Sequence, residues 1–180
     1  PCCSHYHCSP TRRSFISGRL PIHHGEELST ISSDDLDLRW TLIPAKMKAA
    51  GYKTHWIGKG HTGYKSVLHL PTHRGFDSYL GYLSGAQSYT SDDRWANGGP
   101  LSNNTSYSSQ LYGDLAVDLI HSHPKSEPFF LYLAWQAVHS PYDDVPNWNN
   151  SCTEFLPYPG VYAGMIYDSD QYTGKMVDAL

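Results

Sequence analysis

Residues 128–138 read PFFLYLAWQAV, and this run decides the fold class. Phe129 to Val138 is the longest apolar stretch of the chain, broken only by Gln136. Ten residues are too few to cross a bilayer as a helix, and the run is rich in aromatic residues, so it reads as a buried strand. Working outward, Pro124 stops a helix expected over Ser108–Ser122, whose stripe is Leu111, Leu115 and Leu119. On the other side a helix is expected from about Tyr162, with Ala163, Ile166, Thr173 and Val177 on one face. Upstream, YKTHWIG (Tyr52–Gly58) reads as a second strand. It follows a helix over Thr41–Ala50 whose face is Ile43, Met47 and Ala50 and which Gly51 closes. A short helix is expected to run to Ser17, capped by Ser9, with Pro10 first in the helix and Gly18 ending it. Residues between the second strand and Ser108 look loop-rich. Helices alternating with strands argue for a layered α/β fold with a mainly parallel sheet. In such sheets, ligands gather where strands end, and GKGH (58–61) and HSP (139–141) stand at those places.

The 180 residues suffice for one domain with a real core. With 13 basic and 17 acidic residues, a net charge of −4 and no basic run, the chain lacks the footprint of a nucleic-acid partner. Four cysteines (Cys2, Cys3, Cys8, Cys152) do not make a disulfide scaffold. Asn103, Asn104 and Asn149 sit in Asn-x-Ser/Thr triplets, which point weakly to a secretory route. The chain opens on PCCS and stops inside a helical pattern, so a fragment is expected and nothing about targeting follows from it.

Chemistry concentrates at HCSPTRRSFISGR, His7 to Arg19. Cys3, His5, His7 and Cys8 could hold a metal, but no second ligand pair follows at finger-like spacing. A disulfide at Cys2 or Cys3 stays open. Cys8 could also act as a simple thiol nucleophile at a helix N-terminus, which lowers thiol pKa. Arg12 lies one helical turn beyond Cys8, so both can face one site. A helix start also presents N–H groups and a positive dipole end to an anion. Arg13 is expected to face solvent. In GKGHTG (58–63), Lys59 and His61 are two apart and point the same way from an extended segment. His139 closes the strand run in QAVHSP. The other histidines, among them His55, His69 and His123, carry no such context.

CSPTR with SFISGR resembles the C-x-P-x-R signature of the sulfatases, extended to its closing Gly-Arg. GKGHTG is similar to their G-K-W-H-L-G with Gly60 and Thr62 in place of Trp and Leu, and VHSP resembles the V-H-x-P of arylsulfatase B-like enzymes. HRGFDSYLGYLSG (73–85) and the terminal YAGMIYDSDQYTGKMVDAL extend the likeness from about Tyr6 to Leu180. The resemblance implies an alkaline phosphatase-like layered sheet flanked by helices, here part of the large N-terminal domain, 1–180. It implies that a formylglycine-generating enzyme oxidises Cys8 to formylglycine, whose hydrate attacks the sulfur of a sulfate monoester and forms a covalent sulfo-enzyme. By the same likeness Arg12 holds the formylglycine hydroxyl, Lys59 binds sulfate oxygens and His61 hydrogen-bonds the formylglycine. His139 contacts sulfate or the leaving oxygen, which it can protonate. One calcium is implied, with Cys8 as formylglycine its only nameable ligand, the rest lying outside this chain; Asp34-Asp35, Asp92-Asp93 and Asp143-Asp144 read as solvated turns. Asp170 reads as a structural hydrogen-bonding residue on an apolar helix face.

The expected substrate is a sulfated glycan or small aryl sulfate, and the expected compartment is secreted, lysosomal or endomembrane. Tyrosines between Tyr79 and Tyr112 could stack on sugar rings or serve packing. Two rival readings remain. One is a phosphonate or phosphate monoester hydrolase using the same formylglycine; the other is a sulfate-binding pseudoenzyme. The fragment by itself is expected to be inactive.

Overall fold

The computed structural model describes residues 7–24, 35–146, 148 and 160–180. Cys2, Cys3, Cys152, Asp34 and Asn149 lie outside them. Elements run α1 (Cys8–Ser17), α2 (Pro21–His24), α3 (Ile43–Ala49), β1 (Lys53–Lys59), β2 (Ser78–Tyr82), β3 (Arg94–Ala96), β4 (Gly99–Leu101), α4 (Ser108–Ser122), β5 (Phe129–Ala134) and α5 (Val161–Ala179).

The sheet has the order β4-β3-β2-β1-β5. β1 pairs in parallel with β2 and β5, so Trp56 stands opposite both Tyr79 and Tyr132. β3 and β4 add an antiparallel hairpin at one edge. The expected parallel core is therefore present, while the region read as loop-rich supplies three further strands. These are only three to five residues long, too short for a period-2 pattern to stand out in the sequence.

Strand alternation splits the core into two layers. Trp56 faces a cluster with Ile16, Leu42, Leu70, Phe76, Tyr79 and Leu83, on the side of α1 and α3. Ile57 faces the other way, toward Tyr112 and Ala116 of α4, with Leu111, Leu115, Leu119 and Met176 around them. The helix forms over the expected span, but its buried face is Ser108, Ser109, Tyr112, Gly113 and Ala116, and the expected stripe of Leu111, Leu115 and Leu119 is half-buried at its side. α5 packs on α4 through Gly113, where an added Cβ would fall 2.2 Å from the Tyr172 ring.

Three expectations at helices are corrected. α1 starts two residues earlier, with His7 at the N-cap and no side-chain cap bond, so Cys8 is the first helical residue. Proline fits anywhere in a first turn whose N–H groups have no intrahelical acceptor, so Pro10 does not fix the start to one position. The expected end holds: Gly18 is left-handed (φ 69°) and its N–H donates to the Ser14 carbonyl at 2.8 Å. α3 is shorter than expected, and Ala50 is exposed while Ile43 and Met47 are half-buried.

The third correction concerns α5, whose buried face is Ala163, Gly164, Met165 and Asp168 rather than the expected Ile166, Thr173 and Val177. Ile166 is 43% and Val177 64% exposed, and Asp170 is exposed. Asp168 is the internal carboxylate, accepting from Gln110 Nε2 at 3.2 Å, and burial raises its pKa. A helix with apolar residues on several sides offers two competing stripes, and the Trp148 ring against Gly164 selects this one.

β1 ends against β5 at a close approach. Gly58 has φ 102°, and a Cβ there would lie 2.1 Å from the Ala134 carbonyl oxygen. Gly58→Ala is therefore expected to cost roughly 3 kcal/mol or more, because backbone must move on both strands. A shift in the urea midpoint at unchanged slope checks it.

Candidate active site

The N-terminus of α1 and the C-terminal end of β1 meet, and the sequence-predicted residues meet there too. An Arg12 terminal nitrogen donates to the Lys59 carbonyl at 3.1 Å, and Trp56 Nε1 donates to the same oxygen at 3.2 Å. The Arg12 bond ties the strand end to α1 one turn beyond Cys8, while the Trp56 bond stays within β1. Cys8 is half-buried and in no disulfide. Lys59 is only 1% exposed, and its ammonium stands beside Cys8 and Arg12. Burial holds its pKa below the usual lysine range against the upward pull of the Cys8 thiol. Its Nζ finds no oxygen acceptor among the described residues.

His61 follows in a strained left-handed conformation (φ 54°), its N–H donating to the Leu83 carbonyl at 3.1 Å. Its ring lies on Gly85, where a Cβ would come 2.8 Å from Cε1. His61 Nδ1 is buried without a partner among the described residues. Burial first, then the positive charges of Lys59, Arg12 and Arg13, lower its pKa to about 4, with a further push from His139. A depressed histidine pKa means that the unfolded chain binds the proton first. Stability from this group is present above pH 6.5 and is lost as pH falls from 6.5 toward 4. His61→Gln is expected to flatten the melting-temperature profile across that window, measured against the unsubstituted protein.

His139 lies beyond β5 on the loop 135–143, near enough for its charge to act on His61. Its Nδ1 donates to the Ser140 carbonyl at 2.6 Å. A carbonyl only accepts, so Nδ1 carries the hydrogen and Nε2 holds the lone pair of the neutral ring. The apolar run 129–138 is strand only to Ala134, because the chain then turns: His139 N–H bonds the Gln136 carbonyl at 3.0 Å.

Sequence reasoning missed other members of this neighbourhood. Arg13, expected in solvent, is 1% exposed and lines a cavity of about 430 Å³ with Ser9, Asp35, His61, Gly63, Tyr64 and Lys65. Nothing in its spacing from Cys8 could have signalled that, since it points well away from the Cys8–Arg12 face. Asp35 and Asp143, expected as solvated turns, are tied into the fold. Asp35 accepts from Lys65 N–H at 3.1 Å, and Asp143 accepts from Ser88 Oγ and Tyr89 N–H at 2.7 and 2.6 Å. Asp92 and Asp93 are exposed as expected. Tyr79, Tyr82, Tyr89, Tyr107 and Tyr112 are all at most 3% exposed, so they pack and do not offer rings to sugar.

The arrangement concentrates positive charge. Three cations, Arg12, Arg13 and Lys59, act on one histidine beside Cys8. Among the described residues no group of three or more His, Cys, Asp or Glu side chains gathers as a metal cage. The described residues therefore do not by themselves fit a complete calcium site.

Comparison with known proteins adds to this geometry. The sulfatase family model matches residues 2–180. The chain belongs to the sulfatase family. It is 35% identical to arylsulfatase J of Mus musculus over 150 residues, 74% of this chain and 25% of that protein. It is 27% identical to N-acetylgalactosamine-6-sulfatase of Homo sapiens over 201 residues, 96% of this chain and 37% of that protein. Among solved structures, Ps i-CgsB in complex with k-i-k-neocarrahexaose superposes with a TM-score of 0.81 at 26% identity, over 99% of this chain and 45% of that one. PsFucS1 sulfatase from Pseudoalteromonas sp. gives a TM-score of 0.78 at 21% identity, which speaks for the fold alone. This sulfatase chain thus has the alkaline phosphatase-like fold of layered sheet and flanking helices, and spans 25% of arylsulfatase J and 38% of arylsulfatase G of Rattus norvegicus.

Proposed function

We propose that the protein hydrolyses sulfate monoesters, with Cys8 converted to formylglycine by a formylglycine-generating enzyme. The observation that carries this is the buried Lys59 ammonium without an oxygen acceptor, set beside the first helical residue of the signature helix. An unpaired buried cation is costly unless a ligand supplies the missing charge. Once hydrated, the aldehyde supplies two hydroxyls on one carbon: one to attack sulfur, the other to reform the carbonyl and expel sulfate.

The chain's own side chains do the rest. Arg12, fixed through the Lys59 carbonyl, and the N–H groups opening α1 hold negative charge at position 8. Lys59 Nζ faces the sulfate oxygens and offsets charge that develops as the ester bond breaks. His61, neutral down to about pH 4, is an uncharged hydrogen-bonding partner for a hydroxyl at position 8. His139 gives a proton from Nε2 to the departing ester oxygen, for which it must first be protonated, since Nδ1–H stays on the Ser140 carbonyl.

Sulfated carbohydrates are the substrate class favoured, because relatives are named for N-acetylgalactosamine 6-sulfate and one solved relative holds a neocarrahexaose. A calcium ion would use formylglycine as a ligand. A secretory or lysosomal destination fits the Asn103 triplet, whose asparagine is exposed; Asn104 instead spends its side-chain oxygen on Arg94. No helix among the described residues is long and apolar enough to cross a membrane.

The test is turnover by the full-length protein co-expressed with a formylglycine-generating enzyme. Inorganic sulfate released from sulfated oligosaccharides and 4-nitrophenyl sulfate is expected, with little phosphate from 4-nitrophenyl phosphate. Preferential phosphate release would favour the monoester phosphatase reading, and no release would favour the pseudoenzyme.

A further inference from the structure

His139 stands beyond the last residue of β5, Ala134, so the sheet does not fix it. The His139 ring bond to Ser140 stays inside the same loop. That loop packs Ala137 and Val138 against the Tyr89, Tyr107 and Met165 cluster, takes a Tyr107 hydroxyl bond on the Asp143 carbonyl at 3.4 Å, and is tied further to the segment 87–89. Gln136, 2% exposed, donates from Nε2 to the Gln87 carbonyl at 2.6 Å. Asp143 accepts from Ser88 Oγ and Tyr89 N–H. A further tie acts on His139 itself: the Tyr89 hydroxyl donates to the His139 carbonyl at 3.1 Å and accepts from the His139 N–H at 3.2 Å.

Tyr89 is fully buried and anchored from behind. Its ring stacks on Tyr107 at 5.0 Å. Its carbonyl accepts from Ser108 N–H at 2.8 Å, Ser108 Oγ at 3.0 Å and an Arg94 terminal nitrogen at 2.9 Å. Arg94 is itself fully buried and also grips the Asn104 and Ser106 carbonyls. A rigid ring held at one end and bonding both backbone groups of one residue at the other is a two-point strut.

We infer that Tyr89 is the positioning residue for His139: its hydroxyl sets where the His139 imidazole stands at the mouth of the site. This rests on the reading that His139 protonates the leaving oxygen. Sub-ångström placement matters for proton transfer, so loss of the strut acts on the same step as loss of His139.

The experiment uses the full-length protein with formylglycine installed, and two substrates of different leaving group. A sugar sulfate leaves as an alkoxide and needs a proton; 4-nitrophenyl sulfate leaves as a stable phenolate and does not. His139→Ala is expected to lower kcat on the sugar sulfate about 100-fold and on the nitrophenyl ester less than about 5-fold. Tyr89→Phe, which keeps the ring and its stacking, is expected to lower the first about 10-fold and spare the second. The double variant is expected to be no slower than His139→Ala, since coupled residues are not additive. Asp143→Asn, which weakens the tie between the His139 loop and the 88–89 segment that carries Tyr89, is expected to shift the same substrate ratio in the same direction and serves if Tyr89→Phe folds poorly. Equal loss on both substrates, or additive losses in the double variant, overturns the positioning role while leaving that of His139 intact. Absence of any leaving-group dependence in His139→Ala overturns both.

Discussion

Cys8→Ser is expected to stop turnover, with kcat falling on the order of 10⁵-fold or more, as when a covalent nucleophile is removed. A serine hydroxyl at the first helical position of α1 keeps Arg12 and Lys59 as neighbours and can still attack sulfur. It lacks the second hydroxyl on the same carbon, so nothing expels the sulfate afterwards, and release must await water attacking a hindered, negatively charged ester. The variant should therefore gain about 80 Da in intact mass, the addition of SO₃ in a trapped covalent intermediate. A Cys8→Ser protein that turns over at an undiminished rate would remove the nucleophile from this position.

Lys59→Met should separate function from stability. If Lys59 faces the reacting oxygens as proposed, removing its buried ammonium is expected to lower kcat about 10²- to 10³-fold. Burial already weakens the charged form, and Nζ has no oxygen acceptor among the described residues. An apolar side chain of similar length is therefore expected to leave the folded state as stable or more so, with an unchanged or raised melting temperature. Loss of both activity and stability would instead make Lys59 a structural cation.

Much of the architecture was legible from local chemistry. The apolar run after Pro128 is a strand as read, but not the buried one expected: β5 stands at an edge of the described sheet and only its Ala134 is buried. Gly18 and Pro124 stop their helices by steric rules that need no tertiary context. Cys8 and Arg12 were legible because helix periodicity puts them on one face of α1, which meets the end of β1 at Lys59. The extended segment expected to align Lys59 with His61 is absent: β1 ends at Lys59 and His61 takes a left-handed turn, so its nearness to the site comes from that turn and not from strand alternation. What stayed hidden depends on packing between distant segments. Arg13 is buried at a cavity it shares with Asp35 and residues from 61–65, segments far from it in the sequence. Asp168 rather than Asp170 is internal because Trp148 and Gln110 select one of two possible faces of α5. Asp143 and Tyr89 meet across 54 residues, a distance no pattern in the sequence encodes.

The most direct measurement is the mass of the tryptic peptide carrying Cys8, from protein made alongside a formylglycine-generating enzyme. A decrease of about 18 Da at that residue, the exchange of a thiol for an aldehyde at the nucleophile, is expected. An intact thiol in protein that nevertheless releases sulfate from its substrates would contradict the role assigned to Cys8.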